Sequence, residues 1–166
     1  MFNKFYPDKY YDSTYVIDFE KEYNEGFRGV IFDIDNTLVE HDADADERAI
    51  KFMERLKKIG FNVCLLSNNK RERVERFNKD VDVNYIFKAN KPSRQGYRKA
   101  MEIMGTNENT TLFVGDQLFT DVYGARRTGI KSYLVKPIDK KEEIQIVLKR
   151  YLEKIVLYFY NKSLNK

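Results

Sequence analysis

Between Arg28 and Val135 five short apolar runs recur, separated by stretches of helical period, and this alternation leaves few folds open. The runs are Gly29–Phe32, Asn62–Leu66, Asn84–Phe87, Thr111–Val114 and Lys131–Val135. Each is brief and rich in aliphatic, β-branched or aromatic residues, as strands covered on both faces are. Helices are expected over Glu47–Ile59, with Asp46 as N-cap and Gly60 as stop, over Ser93–Met104 behind Pro92, and over Phe119–Thr128 before Gly129. In the first, Ile50, Met53, Leu56 and Lys57 fall at helical spacing; in the second, Tyr97, Ala100, Met101 and Met104 make an inner face. A last helical pattern, from about Lys140 to Tyr160, sets Ile144, Val147, Leu148, Tyr151, Ile155 and Tyr158 on one stripe. Strands alternating with helices require crossover connections, hence a parallel sheet with helices on both faces.

The expected architecture is thus α/β, a three-layer Rossmann-like fold with a mostly parallel five-stranded sheet. Its 166 residues correspond to about one domain, large enough to bury an ordinary core. Three segments are expected: an aromatic-rich lead-in over 1–27, a core over 28–138 and a basic amphipathic helix over 139–166. The lead-in holds nine of the 24 Phe and Tyr residues without a clean period. One Cys and one His exclude a disulfide framework and a zinc or iron–sulfur centre. The longest apolar run, Ile155–Tyr160, is far shorter than a membrane span, and the first residues lack a signal-peptide core. The expectation is a soluble, cytoplasmic protein. Thirty Lys and Arg against 26 Asp and Glu give +4, too mild an excess to point to nucleic acid. From Lys136 onward, however, eight basic residues face four acidic ones, a distribution that suits a solvated helix face or an anionic surface.

Chemistry concentrates where strands end. The first run leads directly into Asp33-Ile34-Asp35-Asn36-Thr37-Leu38, and the fourth into Gly115-Asp116, followed by Thr120 and Asp121. Residues two apart in an extended segment point the same way, so Asp33 and Asp35 can converge at the carboxyl edge of the sheet, where open α/β folds bind ligands. Gly115 would let backbone approach a ligand closely. Several carboxylates at one point repel unless a cation sits among them, and hard oxygen donors suit magnesium. The second run ends in Ser67-Asn68-Asn69, and Lys91-Pro92-Ser93 precedes a helix. Metal-binding acids, a spare acid, a hydroxyl and an ammonium are what phosphoryl transfer needs.

DIDNTL, LLSNN, NKPS and GDQLFTD occur in the order and approximate spacing of the four motifs of the haloacid dehalogenase superfamily, which the chain resembles from about Arg28 to Val135. More closely it resembles the capless subclass IIIA phosphatases and the bacterial family related to phosphatidylglycerophosphate phosphatase. The resemblance implies that Asp33 attacks phosphorus and that Asp35 is the general acid and base. Thr37 would tie down the nucleophile loop, Ser67 would bond a phosphoryl oxygen, and Lys91 would neutralise developing charge and orient Asp33. Asp33, Asp116 and the backbone carbonyl of Asp35 would hold magnesium, with Asp121 in an additional or outer role.

Between Thr37 and Ser67, and again between Ser67 and Lys91, the chain has room for little more than a helix and a strand, so no cap domain is expected. An open site favours a large or surface-presented phosphomonoester. The resemblance names a lipid headgroup, that of phosphatidylglycerophosphate, with peripheral contact to an anionic membrane at its inner face and no nucleic-acid partner. The alternatives are a soluble subclass IIIA phosphatase on a sugar, an amino-acid precursor or a nucleic-acid end, and a receiver-like phosphoacceptor module. In receivers the phosphorylated Asp ends a later strand, whereas here the acidic pair ends the first. Lys70, Arg71, Arg73 and Arg76 read as a solvent-facing run, with a grip on a second phosphate as the alternative. Asp42, Asp44 and Asp46 read as a helix lead-in, since Glu47 replaces the glycine a calcium loop needs. His41 falls near the entrance, and Cys64 inside a strand.

Overall fold

A computed structural model describes residues 2–139 and 144–165, and Lys140–Glu143, with the expected start of the last helix, lie outside the described residues, as does the side chain of Ile144. Six parallel strands form one sheet: β1 (Lys9–Tyr11), β2 (Gly29–Phe32), β3 (Asn62–Leu66), β4 (Asn84–Ile86), β5 (Thr111–Gly115) and β6 (Lys131–Val135), in the order β1-β6-β5-β2-β3-β4. The α/β class is as expected, but the sheet has six strands rather than five. The extra strand comes from the aromatic lead-in, where Lys9, Tyr10 and Tyr11 pair with Tyr133, Leu134 and Val135. Three edge residues are too few to display a period of two, which is why the pattern hides them.

Strand alternation sorts the core into two layers. Val30, Phe32, Val63, Leu65, Leu112, Val114, Tyr133 and Val135 pack on one face, beneath α1 (Phe19–Asn24), α2 (Glu47–Ile59) and α3 (Arg71–Val81). Ile31, Cys64, Leu66 and Phe113 face the other way, onto α4 (Arg94–Met104) and α5 (Tyr123–Thr128). Cys64 is wholly buried, and its thiol is pushed up to about 12 by desolvation. Helix α2 starts where Asp46 accepts from the Ala49 amide at 2.8 Å and ends at Gly60, whose φ of 119° suits only glycine. Its buried residues are Ala49, Phe52, Met53 and Leu56; Lys57 is exposed and caps the Val81 and Asp82 carbonyls instead of joining the inner face. Tyr97, Ala100, Met101 and Met104 of α4 are buried as expected. Between β5 and α5 a π-type turn covers Leu118–Val122 and takes up the first part of the segment expected to be one helix over Phe119–Thr128.

The last helix, α6 (Ile144–Leu164), inverts the expected stripe. Its buried residues are Glu153, Val156 and Tyr160, whereas Val147, Leu148, Tyr151, Ile155 and Tyr158 are exposed. Val156 packs with Leu118, Val122 and Leu134 in a third apolar cluster. Ring contacts to Phe2 and Tyr6, at 5.6 and 5.3 Å, tie Phe159 and Tyr160 to the chain start.

The lead-in is part of the core. Phe19 is 1% exposed, and its ring meets those of Phe32, Phe52 and Phe61 at 5.6–6.0 Å. Phe19→Ala therefore empties a site shared by α1, α2 and β2, and should cost about 3–5 kcal/mol of unfolding free energy. Urea titration followed by circular dichroism checks this; a loss below about 1 kcal/mol would mean that the lead-in merely lies on the surface.

Candidate active site

The strand order reverses at β2, which has β3 on one side and β5 on the other. Phe32 lies opposite Val114, so Asp33 and Asp116 emerge side by side at the carboxyl edge, where two connections diverge. The Asp33 amide still donates to the Val114 carbonyl at 3.1 Å, which holds the first acid in register with β5.

Carboxylate oxygens of Asp33, Asp116 and Asp121 gather within 4.8 Å of one another, and all three residues are buried. The Lys91 ammonium bridges two of them, donating to Asp33 Oδ1 at 2.9 Å and to Asp121 Oδ1 at 2.8 Å. Thr37 Oγ1 donates to Asp116 Oδ1 at 3.2 Å and so ties the β2 loop to the β5 loop. Asp121 Oδ2 accepts from the amides of Asp116 and Gln117 at 3.2 and 3.1 Å. A Cβ at position 115 would sit 2.5 Å from that oxygen, so Gly115 makes room for the Asp121 side chain rather than for a ligand.

Burial dominates the electrostatics. Desolvation raises the Asp33 carboxyl well above its ordinary value; Lys91 opposes the rise, and Asp121 and Asp116 add to it. Asp116 is pushed up to about 6, again chiefly by desolvation, against the pull of Arg150 and with repulsion from Asp121. Desolvation works to lower the Lys91 ammonium, but Asp121 and Asp33 outweigh it and hold the group charged.

Asp35 is placed apart from this cluster. Its Oδ2 accepts from Asn69 Nδ2 at 2.6 Å, and its Oδ1 from the Asp42 amide at 2.7 Å and Arg73 Nη2 at 3.0 Å. Adjacent acids from one loop therefore have separate cationic partners. Ser67 lines the cavity with its Oγ accepting from the Asn69 amide at 3.0 Å. Asn68 clamps the Lys91 backbone from both sides, accepting from its amide at 2.7 Å and donating to its carbonyl at 3.3 Å. The cavity over these groups has a volume of about 270 Å³, and His41, Gln117, Ile146 and Lys149 complete its walls.

Some of these contacts were not foreseen from sequence. Asn68 and Asn69 sat in a motif without assigned side-chain roles. Of the basic run, Lys70 and Arg71, which pairs with Glu75, are exposed and Arg76, on Asp42 and Asp44, is half-buried, so the run faces solvent as expected except at Arg73, which is buried on Asp35. From α6, Arg150 donates to the side chain and the carbonyl of Asp116, and Glu153 accepts from the Leu118 amide at 2.9 Å. No local pattern marks either residue, because the partners lie over 30 residues away.

Three convergent, buried carboxylate oxygens suit a hard divalent cation, with Asp33, Asp116 and Asp121 as candidate holders. Because the folded-state value of Asp116 lies above that of an ordinary carboxylate, the cation-free protein loses stability as pH rises through about 6, and a cation reverses that loss. Magnesium at a hundredfold excess over its Kd should raise Tm by about 5–10 °C at pH 7.5, and less below pH 6, where a proton competes. Scanning fluorimetry reads the shift, which Asp116→Asn should abolish. A shift equal at pH 5 and 7.5, or kept in that variant, would place the cation elsewhere.

Residues 41–129 match the family model of haloacid dehalogenase-like hydrolases. The Bacillus subtilis protein described as "Probable phosphatase YqeG" is 34% identical over 95% of this chain and 92% of its own length. Phosphatidylglycerophosphate phosphatase 1 of Arabidopsis thaliana is 26% identical over 90% of this chain, which spans only 45% of that protein. Among solved structures, the cobalt-bound deoxy-D-mannose-octulosonate 8-phosphate phosphatase of Haemophilus influenzae superposes with a TM-score of 0.53 at 16% identity, over 84% of this chain and 92% of that one.

Proposed function

The chain belongs to the haloacid dehalogenase-like hydrolases, and from that premise we propose that it is a capless, magnesium-dependent phosphomonoester hydrolase that works through an aspartyl phosphate. The observation that carries this reading is the division of acids at one rim. Asp33 is bound to Lys91 inside the carboxylate cluster, whereas Asp35 stands outside it on Arg73 and Asn69. That division supports a reading in which one acid attacks and the other moves a proton.

In this mechanism an Asp33 carboxylate oxygen attacks phosphorus in line, and the bond from phosphorus to the alcohol oxygen breaks. Asp35 gives its proton to that oxygen, and the alcohol leaves. Asp35 then takes a proton from water, whose oxygen attacks the phosphorus of aspartyl phosphate, releasing phosphate and restoring Asp33. Lys91 stabilises charge on the phosphoryl oxygens, and Ser67, at the cavity wall, donates to one of them. When bound at Asp33, Asp116 and Asp121, magnesium supplies charge that screens the phosphate from these acids.

The cavity of about 270 Å³ is lined almost wholly by polar groups and suits a phosphate on a short polar alcohol. That favours a small soluble ester, such as a sugar phosphate. A second reading, the glycerophosphate head of a phospholipid at an anionic membrane, draws on α6. This helix lines the cavity through Ile146 and Lys149 and exposes Leu148 at 66% and Tyr151 at 67%, with Lys149, Lys154 and Lys162 beside them. No helix of the described residues is long and apolar enough to cross a membrane.

Phosphate release should be measured with magnesium on soluble sugar and glycerol phosphates and on phosphatidylglycerophosphate in mixed micelles. Asp33→Asn is expected to lower kcat by more than about 1,000-fold on every substrate while remaining folded. Retained turnover would remove Asp33 as the nucleophile. The soluble reading predicts the highest kcat/KM on a soluble ester, unchanged in a Leu148→Ser/Tyr151→Ser double variant. The lipid reading predicts a preference for the micellar ester, and loss in that variant of both this preference and binding to phosphatidylglycerol vesicles.

A further inference from the structure

Arg73 has an environment that helix stability does not account for. It lies in the first turn of α3, where the helix dipole disfavours a cation. It is only 7% exposed, and among the described residues its buried Nη1 has no hydrogen-bond partner. A buried guanidinium with an unused donor costs stability. It reaches Asp35, with Nη2 at 3.0 Å and Nε at 3.4 Å from Oδ1, and its Nε also lies 3.6 Å from Asp42 Oδ1. From the same helix Arg76 binds the carboxylate and carbonyl of Asp42, at 2.6 and 2.7 Å, and the Asp44 carboxylate at 2.9 Å. The Asp42 amide in turn donates to Asp35 Oδ1. The other groups facing Asp35 are Asn69 on Oδ2 and His41, whose Nδ1 is 4.0 Å from Oδ1.

We propose that Arg73 is a positioning residue for proton transfer: it holds the Asp35 carboxyl at the mouth of the cavity, away from the Asp33–Asp116–Asp121 cluster, where the leaving oxygen of the substrate must pass. The inference rests on Asp35 as the general acid and adds the residue that aims it. Arg73 is not among the cavity-lining residues, so it acts on the substrate only through Asp35. Up to loss of the alcohol, the damage falls on protonation of the leaving group; the later hydrolysis of aspartyl phosphate is slowed equally for every ester. An alkyl alcohol must receive a proton as its bond to phosphorus breaks, whereas p-nitrophenolate departs without one. A residue that only supported the fold would affect both esters alike.

The test measures kcat and KM for glycerol 1-phosphate and p-nitrophenyl phosphate with wild type, Arg73→Gln, Arg73→Lys and Asp35→Asn. Arg73→Gln should lower kcat/KM, which reports only the steps up to loss of the alcohol and not the hydrolysis of aspartyl phosphate shared by both esters, by roughly 10–100-fold on the alkyl ester and by less than about 5-fold on the aryl ester. Arg73→Lys, which keeps the charge, should recover part of the alkyl rate. Should Arg73→Gln fail to fold, the alkyl-to-aryl ratio of Arg73→Lys carries the comparison, and a ratio equal to that of wild type overturns the proposal. Equal losses of kcat/KM on both esters in Arg73→Gln, or none, overturn it as well, provided that Asp35→Asn discriminates between them. If Asp35→Asn itself lowers kcat/KM alike for the two esters, the general-acid role of Asp35 falls and the proposal falls with it. Loss of turnover in Asp33→Asn then still tests the hydrolase reading on its own.

Discussion

The Lys91 ammonium makes the rest of the site physically tenable. Three carboxylates converge within 4.8 Å of one another in a buried setting, where desolvation raises Asp33 and Asp116 and the charge of Asp121 adds to both rises. Lys91 is itself buried, and it holds its charge because Asp33 and Asp121 lie 2.9 and 2.8 Å away. The contact joins three segments distant in sequence: the end of β2, the turn after β5 and the loop before α4. Asn68, at the end of β3, fixes the Lys91 backbone from both sides and brings in a fourth. Electrostatics thus do at the rim what apolar packing does beneath it.

The same economy of charge separates the two acids of the DxD motif. Asp33 shares Lys91 with Asp121, whereas Asp35 is drawn toward α3 by Arg73 and Asn69. Residues two apart on an extended segment begin on one side, but the chain turns sharply here. Asn36 takes a φ of 63°, and its amide donates to the Val39 carbonyl at 2.7 Å. The turn lets Asp35 reach helix α3 while Asp33 stays in register with β5. Two chemically identical side chains acquire different surroundings, the difference on which the proposed two-step displacement relies.

Much of this was legible because the relevant signals are local. GVIF, NVCLL and TLFV are buried on both faces and read as strands, and each ends in polar residues that the sheet carries to one edge. DIDNTL, LLSNN, NKPS and GDQLFTD therefore located the rim. What escaped depends on distant partners. β1 is a strand only because β6 offers it a free edge, and the Tyr-rich segment shows no period by itself. Arg73 sits in a run of charges that reads as a solvated surface, and only the position of Asp35 distinguishes it from Arg71. In α6, polar residues turn inward because Asp116 and the Leu118 amide wait there, a requirement invisible along the helix itself.

That inversion gives α6 a specific place in the argument. A helix packed by hydrophobicity alone would bury its widest apolar stripe, yet this one buries Glu153, Val156 and Tyr160 and leaves Leu148, Tyr151, Leu152 and Tyr158 outside. The Arg150 contact to Asp116 and the Glu153 contact to Leu118 set that orientation, and both partners belong to the loop that carries a candidate metal-binding acid. The helix orientation and the geometry of Asp116 are therefore coupled: whatever engages the outer stripe of α6 acts on a helix that also supplies Ile146 and Lys149 to the cavity wall. In a capless hydrolase, where no inserted domain covers the substrate, such a wall is the element that can set which alcohol enters above Asp33. Selectivity in this chain is thus to be sought in α6, and chemistry in the loops that follow β2 and β5.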